Sequence, residues 1–448
     1  MWSNKSAVKT SVDCIRQNTI VVTMLAFTAR GLIWVRIWLK NVLAHLCYKI
    51  FGLKLCPVSQ DSILDSGHYI NGKDTGWIEP FTLLIRSYRE TDTVTAHGRQ
   101  TFVDGMKFKL NVRAKVKREL SNKAELFASK IPVRKPVFVL GVMRSGTTFL
   151  HGLLAQDPAF RPPLLYELLD PVPPQTGAGT KDDPRIAMGT ALTRAINIAD
   201  PDFSVKHEIG AELPHECFHL LAAMRFIDKK EFLHGSNISA YQEWWKTALT
   251  GDYMTAVYRE YRAVLQLMAS KDEAPRPFLL KDHIHCLFMD SVLEVFPDAS
   301  FIYLVRNPVD LVSSWCSVME SLATLSIKPG TISPRERGER ALNDLSYFAS
   351  TFVDFRKKCD ASGTSLRCMD VLQSDLVKDP MKVVKDIYAF LGVPLTYEAE
   401  DKMALFMDER RKFRARAKHI HRPEDFGITK DMVLDKFQDY VEYFGLQI

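Results

Sequence analysis

From Pro132 onward, short runs of β-branched and apolar residues alternate with stretches of helical period. Val137–Leu140, Phe278–Leu280 and Phe301–Val305 read as strands, with helices predicted from about Ser145 and after Pro308. Such alternation predicts an α/β fold in which helices flank a central parallel sheet. Ile238–Ser270 has helical period and many aromatics, among them Tyr241, Trp244, Trp245, Tyr253, Tyr258 and Tyr261, and reads as helical core or as the wall of a pocket. The upstream part differs. Residues 56–130 read as irregular and then helical, ending in the Lys- and Arg-rich stretch Lys107–Leu120, which is expected to be a solvated helix face. Within residues 1–55, the apolar run Ile20–Ala29 is about half the ~20 residues that a spanning helix needs. Beyond that run the chain is interrupted by Arg30, Arg36, Lys40 and Lys49, with Trp34 and Trp38 among them. This pattern predicts a helix lying in or anchoring to a membrane interface; the same pattern also suits an amphipathic helix packed on the rest of the protein. The expected organisation is therefore a hydrophobic and basic N-terminal segment (1–55), a helical extension (56–130) and one α/β domain (131–448). The expected location is membrane-associated, with a cytoplasmic protein as the alternative.

Composition narrows the function classes. The chain has 448 residues, 46% hydrophobic and 25% charged, which suits a globular protein with an ample core and excludes a disordered or collagen-like chain. The formal charge is 59 − 53 = +6. An excess of that size fits a small anionic ligand or an anionic membrane surface and is far below that of a dedicated nucleic-acid binder, so no nucleic-acid partner is expected. The 8 cysteines contain no C-x-x-C pair. A zinc ribbon is not expected, and buried free thiols are; a Cys359–Cys368 bridge stays open.

The most informative segment is Pro136–Leu150, PVFVLGVMRSGTTFL. An apolar strand runs into a loop bounded by Gly141 and Gly146 and then into a helix, the arrangement that turns backbone N–H groups toward a phosphate. The glycine spacing is that of a Walker A loop, G-x-x-x-x-G-K-[ST], but Thr147 holds the lysine slot and the cation comes earlier, at Arg144. Metal-assisted phosphoryl transfer thereby loses a main part. A P-loop kinase or nucleotide hydrolase and a nucleotide-binding protein without catalysis remain the alternative classes. A second element lies at Phe301–Trp315. Its strand ends at Arg306, Asn307 is a good N-cap, Pro308 suits the first helical position, and Ser314 comes in the second turn. Arg306 is thus expected at the C-terminal edge of the sheet, where open α/β sheets bind ligands.

The R-S-G-T-T order of the loop, together with the Arg306 and Ser314 spacing, resembles the sulfotransferases that use 3′-phosphoadenylyl sulfate (PAPS), a broad family with many bacterial members. The similarity covers about residues 131–448 and includes Tyr166–Pro174, Glu212–Cys217, Leu280–His285 and Glu424–Gly427, in the family's order. The family often has proline where Met143 stands. The resemblance implies a P-loop-like sheet and sulfuryl transfer from PAPS, without a required metal, to a hydroxyl, or less commonly an amine, of a small-molecule, glycan or lipid acceptor. It also implies that Arg144, Ser145, Gly146, Thr147 and Thr148 hold the 5′-phosphosulfate while Arg306 and Ser314 hold the 3′-phosphate.

Three residues compete as the base that accepts the acceptor's proton. Many family members carry a catalytic glutamate where Glu167 stands; His285 ends the element Lys281–His285; His283 aligns with the histidine of the cytosolic branch. Glu167 is the expected base, with His285 as a second acid/base or acceptor-orienting group. Lys281 is expected at the transferring sulfonate and Arg144 at the leaving phosphate. His215–His219 is a literal H-E-x-x-H match, the zincin pattern, that could open a helix after Pro214. It lacks a recognisable third ligand and is expected to supply core or pocket histidines. The cations Arg410, Arg411, Lys412, Arg414, Arg416, Lys418 and Arg422 read as solvated surface, with one or two closing over the 3′-phosphate as the sharper expectation.

Overall fold

The computed structural model describes residues 31–64, 74–122, 133–173, 183–201, 203–228, 239–272, 274–324, 326–414 and 422–448. Four parallel strands form its sheet: β1 (Val137–Gly141), β2 (Leu279–Lys281), β3 (Ser300–Val305) and β4 (Cys368–Leu372), in the order β2-β1-β3-β4. Every residue of β1 and β3 is buried, as continuous apolar runs in a sheet covered on both faces require. Side chains alternate between the faces. Phe138, Leu140, Phe301, Tyr303 and Val305 enter one core, whereas Val137, Val139, Ile302 and Leu304 enter the other. The second core is closed by the helices Thr147–Leu154 and Pro380–Leu391. The first is closed by the helices Gly251–Ala269, Pro308–Ala323 and Pro334–Ser362.

The three strands read from the sequence are present, and β4 is a fourth. It is the exposed edge, and Asp370 in its middle is paired with Arg356 at 2.8 Å, so its residues lack an apolar run. The aromatic stretch forms two helices, Ser239–Ala248 and Gly251–Ala269. Tyr241, Trp244, Trp245, Tyr258 and Tyr261 are core residues. All described cysteines are free thiols, including Cys359 and Cys368.

The extension contributes the helices Ile78–Glu90 and Ala96–Asn122, and Trp77, Phe81, Met106 and Leu110 share the first core with the sheet. The charge run within the long helix corrects the expectation of a solvated face. Arg113 is buried and donates to Asp74 at 2.6 Å, Lys109 pairs with Asp228, Lys115 with Asp170 at 2.6 Å, and Lys117 with both Asp74 at 2.8 Å and Glu260 at 2.5 Å. Arg225 joins the same group, 2.8 Å from Asp74 and 2.5 Å from Glu260. The cations are spaced so that one helical face meets carboxylates from several other parts of the chain. Upstream, residues 31–51 are helical, and no helix among the described residues is long and apolar enough to cross a membrane. The run Ile20–Ala29 lies outside the described residues.

Glu260 holds two cations, so Glu260→Gln removes a charged acceptor from a mostly buried network while Asp74 retains its pairs. The expected loss is about 1–3 kcal/mol of stability, read from the denaturant midpoint of the variant against the parent.

Candidate functional site

The C-terminal ends of β1 and β3 lie side by side, with Gly141 opposite Leu304. From β1 the chain crosses to β2 on one side; from β3 it goes to β4 on the other. The crevice between such neighbours is where open α/β sheets take ligands, and both the Gly141–Gly146 loop and the Arg306–Ser314 element open into it. Gly141 has φ +149°, and a Cβ there would stand 2.8 Å from the Leu304 carbonyl and 2.5 Å from Ser145 Oγ, so only glycine fits under the loop. Gly146 (φ +102°) precedes the helix Thr147–Leu154. Arg144 adopts a left-handed backbone (φ 73°), uncommon for a residue with a side chain.

That turn directs its groups toward the second element. Arg144 Nε donates to Ser314 Oγ at 3.0 Å, Arg144 Nη2 donates to the Lys206 carbonyl at 2.7 Å, and Arg306 Nη1 donates to the Arg144 carbonyl at 2.7 Å. Asn307 caps the next helix through Val309 N, with Pro308 in its first turn. Tyr440, from the last helix, takes the Arg306 N–H on its hydroxyl at 3.1 Å and so pins the end of the strand. Two guanidinium groups therefore meet beside a row of loop amides. Ser145 Oγ is fully buried and has no hydrogen-bond partner among the described residues. A doubly phosphorylated nucleotide suits such a donor set.

Lys281 closes the other side. It is buried to 2% exposure at the end of β2 and donates to Thr148 Oγ1 at 3.0 Å and to Glu216 Oε1 at 2.9 Å. His283 Nδ1 lies 3.9 Å from that carboxylate and 3.6 Å from Asp282 Oδ1. Of these groups, Thr148, Glu216 and His283 line a cavity of about 930 Å3, at the upper end for small-molecule sites. Its polar lining includes Arg144, Thr147, Thr148, Arg306, Ser314, Glu216 and His283; its apolar lining includes Phe102, Met106 and Phe108 of the extension, Met188, Leu192 and Ile196 of the helix Pro184–Ala199, and Trp315, Val318 and Leu322.

Of the expected residues, Ser145 and Lys281 adjoin lining residues without lining the cavity themselves, and Glu167 and His285 are not brought there. Glu167 is buried and does not line the cavity; its Oε2 accepts from Arg161 Nη1 at 2.9 Å and from Leu164 N at 2.9 Å, and its Oε1 accepts from Arg161 Nη2. Arg161 is itself held by Asp272 at 3.1 Å. His285 is fully buried behind the sheet edge, its Nδ1 2.8 Å from the Tyr258 hydroxyl and its ring edge-on to Phe138. The expected aromatic wall is also elsewhere, since none of Tyr241, Trp244, Trp245, Tyr253, Tyr258 and Tyr261 lines the cavity.

The H-E-x-x-H match does not lie on a helical turn, because the helix begins at Phe218. His219 Nε2 and His215 Nδ1 are 3.2 Å apart, and Glu216 faces Lys281. Glu216, Asp282 and His283 offer ligand atoms within 4.8 Å of one another, a set able to receive a cation, but the Lys281 ammonium already sits on Glu216 and opposes a second positive charge there. Of the C-terminal basic cluster, Arg410 lines the cavity, pairs with Glu208 and lies 4.8 Å over the Phe406 ring, whereas Arg411, Lys412 and Arg422 are exposed. Arg416 and Lys418 lie outside the described residues. Gln373, directly after β4, reaches the loop at Gly146 and lines the cavity without any signal in the sequence.

A profile of the sulfotransferase family matches residues 136–397. The chain belongs to the sulfotransferase family. Among curated relatives it is similar to the omega-hydroxy-beta-dihydromenaquinone-9 sulfotransferase Stf3 of Mycobacterium bovis, 27% identical over 270 residues, which are 58% of this chain and 63% of that one. The chain thus matches somewhat under two thirds of that relative's length. Solved structures with the same fold are the sulfotransferase STF9 of Mycobacterium avium (TM-score 0.72, 23% identity, covering 91% of this chain and 97% of that one) and STF1 of Mycobacterium tuberculosis (TM-score 0.68, 22% identity, covering 89% and 99%).

Burial beside the site also shapes the protein's acid stability. His151, in the loop helix, is buried and donates from Nε2 to the Leu279 carbonyl at 3.0 Å. Burial first, and then the nearby Lys281 charge, push its pKa down from 6.5 to about 3. The unfolded chain takes up this proton near pH 6.5 and the folded protein does not, so stability is full above that pH and falls with acid through the window down to about 3. The loss by pH 5 is about 2 kcal/mol. In His151→Gln, which keeps a donor for Leu279, the melting temperature falls less between pH 7 and 5 than in the parent.

Proposed function

We propose that the protein transfers a sulfuryl group from PAPS to the hydroxyl of an apolar organic acceptor. The observation that carries this reading is the meeting of the two elements, Arg144 with Ser314 and Arg306 with the Arg144 carbonyl, in one cavity that His283 also lines, with the Lys281 ammonium bound to two further lining residues, Thr148 and Glu216. Loop amides, Ser145 Oγ and Arg144 would hold the 5′-phosphosulfate, and Arg306 and Ser314 the 3′-phosphate. PAPS supplies the sulfuryl group and its phosphate is the leaving group.

The chain's own residues do the rest. Lys281 is fixed between Thr148 and Glu216, so its ammonium stands ready to stabilise negative charge at low reorganisation cost. His283 lines the cavity one residue from Asp282, with a Glu216 oxygen 3.9 Å from its Nδ1, and is the base in this reading. The base role expected of Glu167 passes to His283 because both Glu167 oxygens are bound to Arg161. The apolar lining, with Phe102, Met106, Leu192 and Val318, favours an acceptor with a substantial hydrocarbon part over a glycan. The Stf3 relative, named for a hydroxylated dihydromenaquinone, supports the same class.

Calorimetry with adenosine 3′,5′-bisphosphate tests the nucleotide half. Arg306→Ala is expected to weaken binding by about 10- to 150-fold, the worth of a charged hydrogen bond; no binding by the parent protein defeats the reading. Labelled PAPS and a series of apolar alcohols test the transfer half. His283→Ala should lose about 10²- to 10⁴-fold in turnover with nucleotide affinity retained. Normal turnover in His283→Ala, with loss in Glu167→Gln, would return the base to Glu167.

A further inference from the structure

The helix of residues 31–51 presents an apolar stripe that no described part of the protein covers. Leu32, Val35, Leu39, Leu43, Leu46 and Ile50 are 47–66% exposed. They recur at steps of three and four residues, which places them within a sector of about 80° on one helical face. The opposite face is the packed one: Ile37 is buried, and Asn41 Oδ1 accepts the His97 N–H at 3.0 Å. At the same angular step, Arg36 and Lys40 flank the stripe on one side and Lys49 on the other. Trp38, 61% exposed, stands at its margin. No Asp or Glu occurs between Asp13 and Asp61, so this face carries cations and apolar groups alone.

We infer that this helix docks the protein on an anionic lipid bilayer, lying in the interface with its apolar stripe among the acyl chains. A contiguous exposed apolar patch of this kind marks an interaction site. A protein partner would be served by the apolar stripe; the acid-free cationic flanks are what an anionic headgroup layer adds. The helix is too broken by charge to span, and a helix bordered by Lys, Arg and Trp sits at the interface. Its position gives the docking a consequence. Asn41 holds His97, and Gly98, Thr101 and Phe102 in the next turns line the apolar part of the cavity. The helix therefore packs beside one wall of that cavity with its stripe turned outward, and an acceptor with a hydrocarbon chain is received from the bilayer on which it docks. The docking is independent of the sulfuryl-transfer reading; the route of the acceptor rests on it.

Co-sedimentation of the full chain with vesicles tests the docking. Phosphatidylcholine vesicles with about a quarter phosphatidylglycerol are expected to bind the parent about tenfold or more tightly than phosphatidylcholine alone, less so at high salt. Leu39→Asp with Leu43→Asp should abolish binding, and Arg36→Glu with Lys49→Glu should remove the preference for the anionic lipid. Calorimetry with adenosine 3′,5′-bisphosphate on the same variants should match the parent, which separates failure of docking from failure of the nucleotide site. Vesicle binding that survives the double aspartate substitution overturns the assignment. So does a parent that ignores vesicles and sediments as a dimer which the same substitution splits, because the stripe is then a protein interface.

Discussion

The pairing of β1 with β3 sets everything else in the site. It places Gly141 opposite Leu304, two residues before Arg306, so that a loop from one strand and an arginine from another reach the same point. Because side chains alternate along a strand, a slip of one residue would exchange the faces of Phe301, Ile302, Tyr303 and Leu304 between two well-packed cores. The cores therefore enforce the register, and the register delivers Arg306 to the Arg144 carbonyl. The left-handed turn at Arg144 is held by its Ser314 and Lys206 contacts at one end and by Arg306 at the other.

Around that point, the cation that each buried carboxylate meets decides its work. Glu167 lies between Arg161 and the amide of Leu164, where bidentate pairing makes it a brace for the loop that passes the edge of β2. Arg161 itself pairs its backbone with Pro277 and Leu279, so the brace also steadies the strand that carries Lys281. Glu216 meets Lys281 at the cavity and positions an ammonium whose alternative orientation would be unpaired in a buried site.

The long helix Ala96–Asn122 serves on two sides at once. Lys109, Arg113, Lys115 and Lys117 meet carboxylates on other elements, while Phe102, Met106 and Phe108 line the cavity. Ion pairing fixes its orientation, and that orientation decides which of its apolar side chains face the cavity. The apolar lining thus draws on residues both within and outside the span 136–397 that carries the family match.

Much of this was legible in the residues themselves. The strand-loop-helix at Val137–Leu154 and the Arg306–Ser314 element are local, because backbone hydrogen bonding, glycine freedom and helix capping act over a few neighbours. β4 and Gln373 were not legible, since an edge strand carries no continuous apolar run and a polar residue after it has no distinguishing neighbours. The charge run Lys107–Leu120 looked solvated because its carboxylate partners lie far away in sequence. Glu167 and His285 looked catalytic by motif, and Glu216 stood inside a motif that suggested metal. Which of these acids and bases faces the cavity depends on which buried cation each one pairs with, and such pairs form only when the chain closes on itself. Local chemistry along the chain was enough to specify the parallel α/β sheet, its glycine-bounded loop and the Arg306–Ser314 element. Packing settled which titratable groups face the cavity and which side chains line its apolar wall, because both depend on contacts between residues distant along the chain.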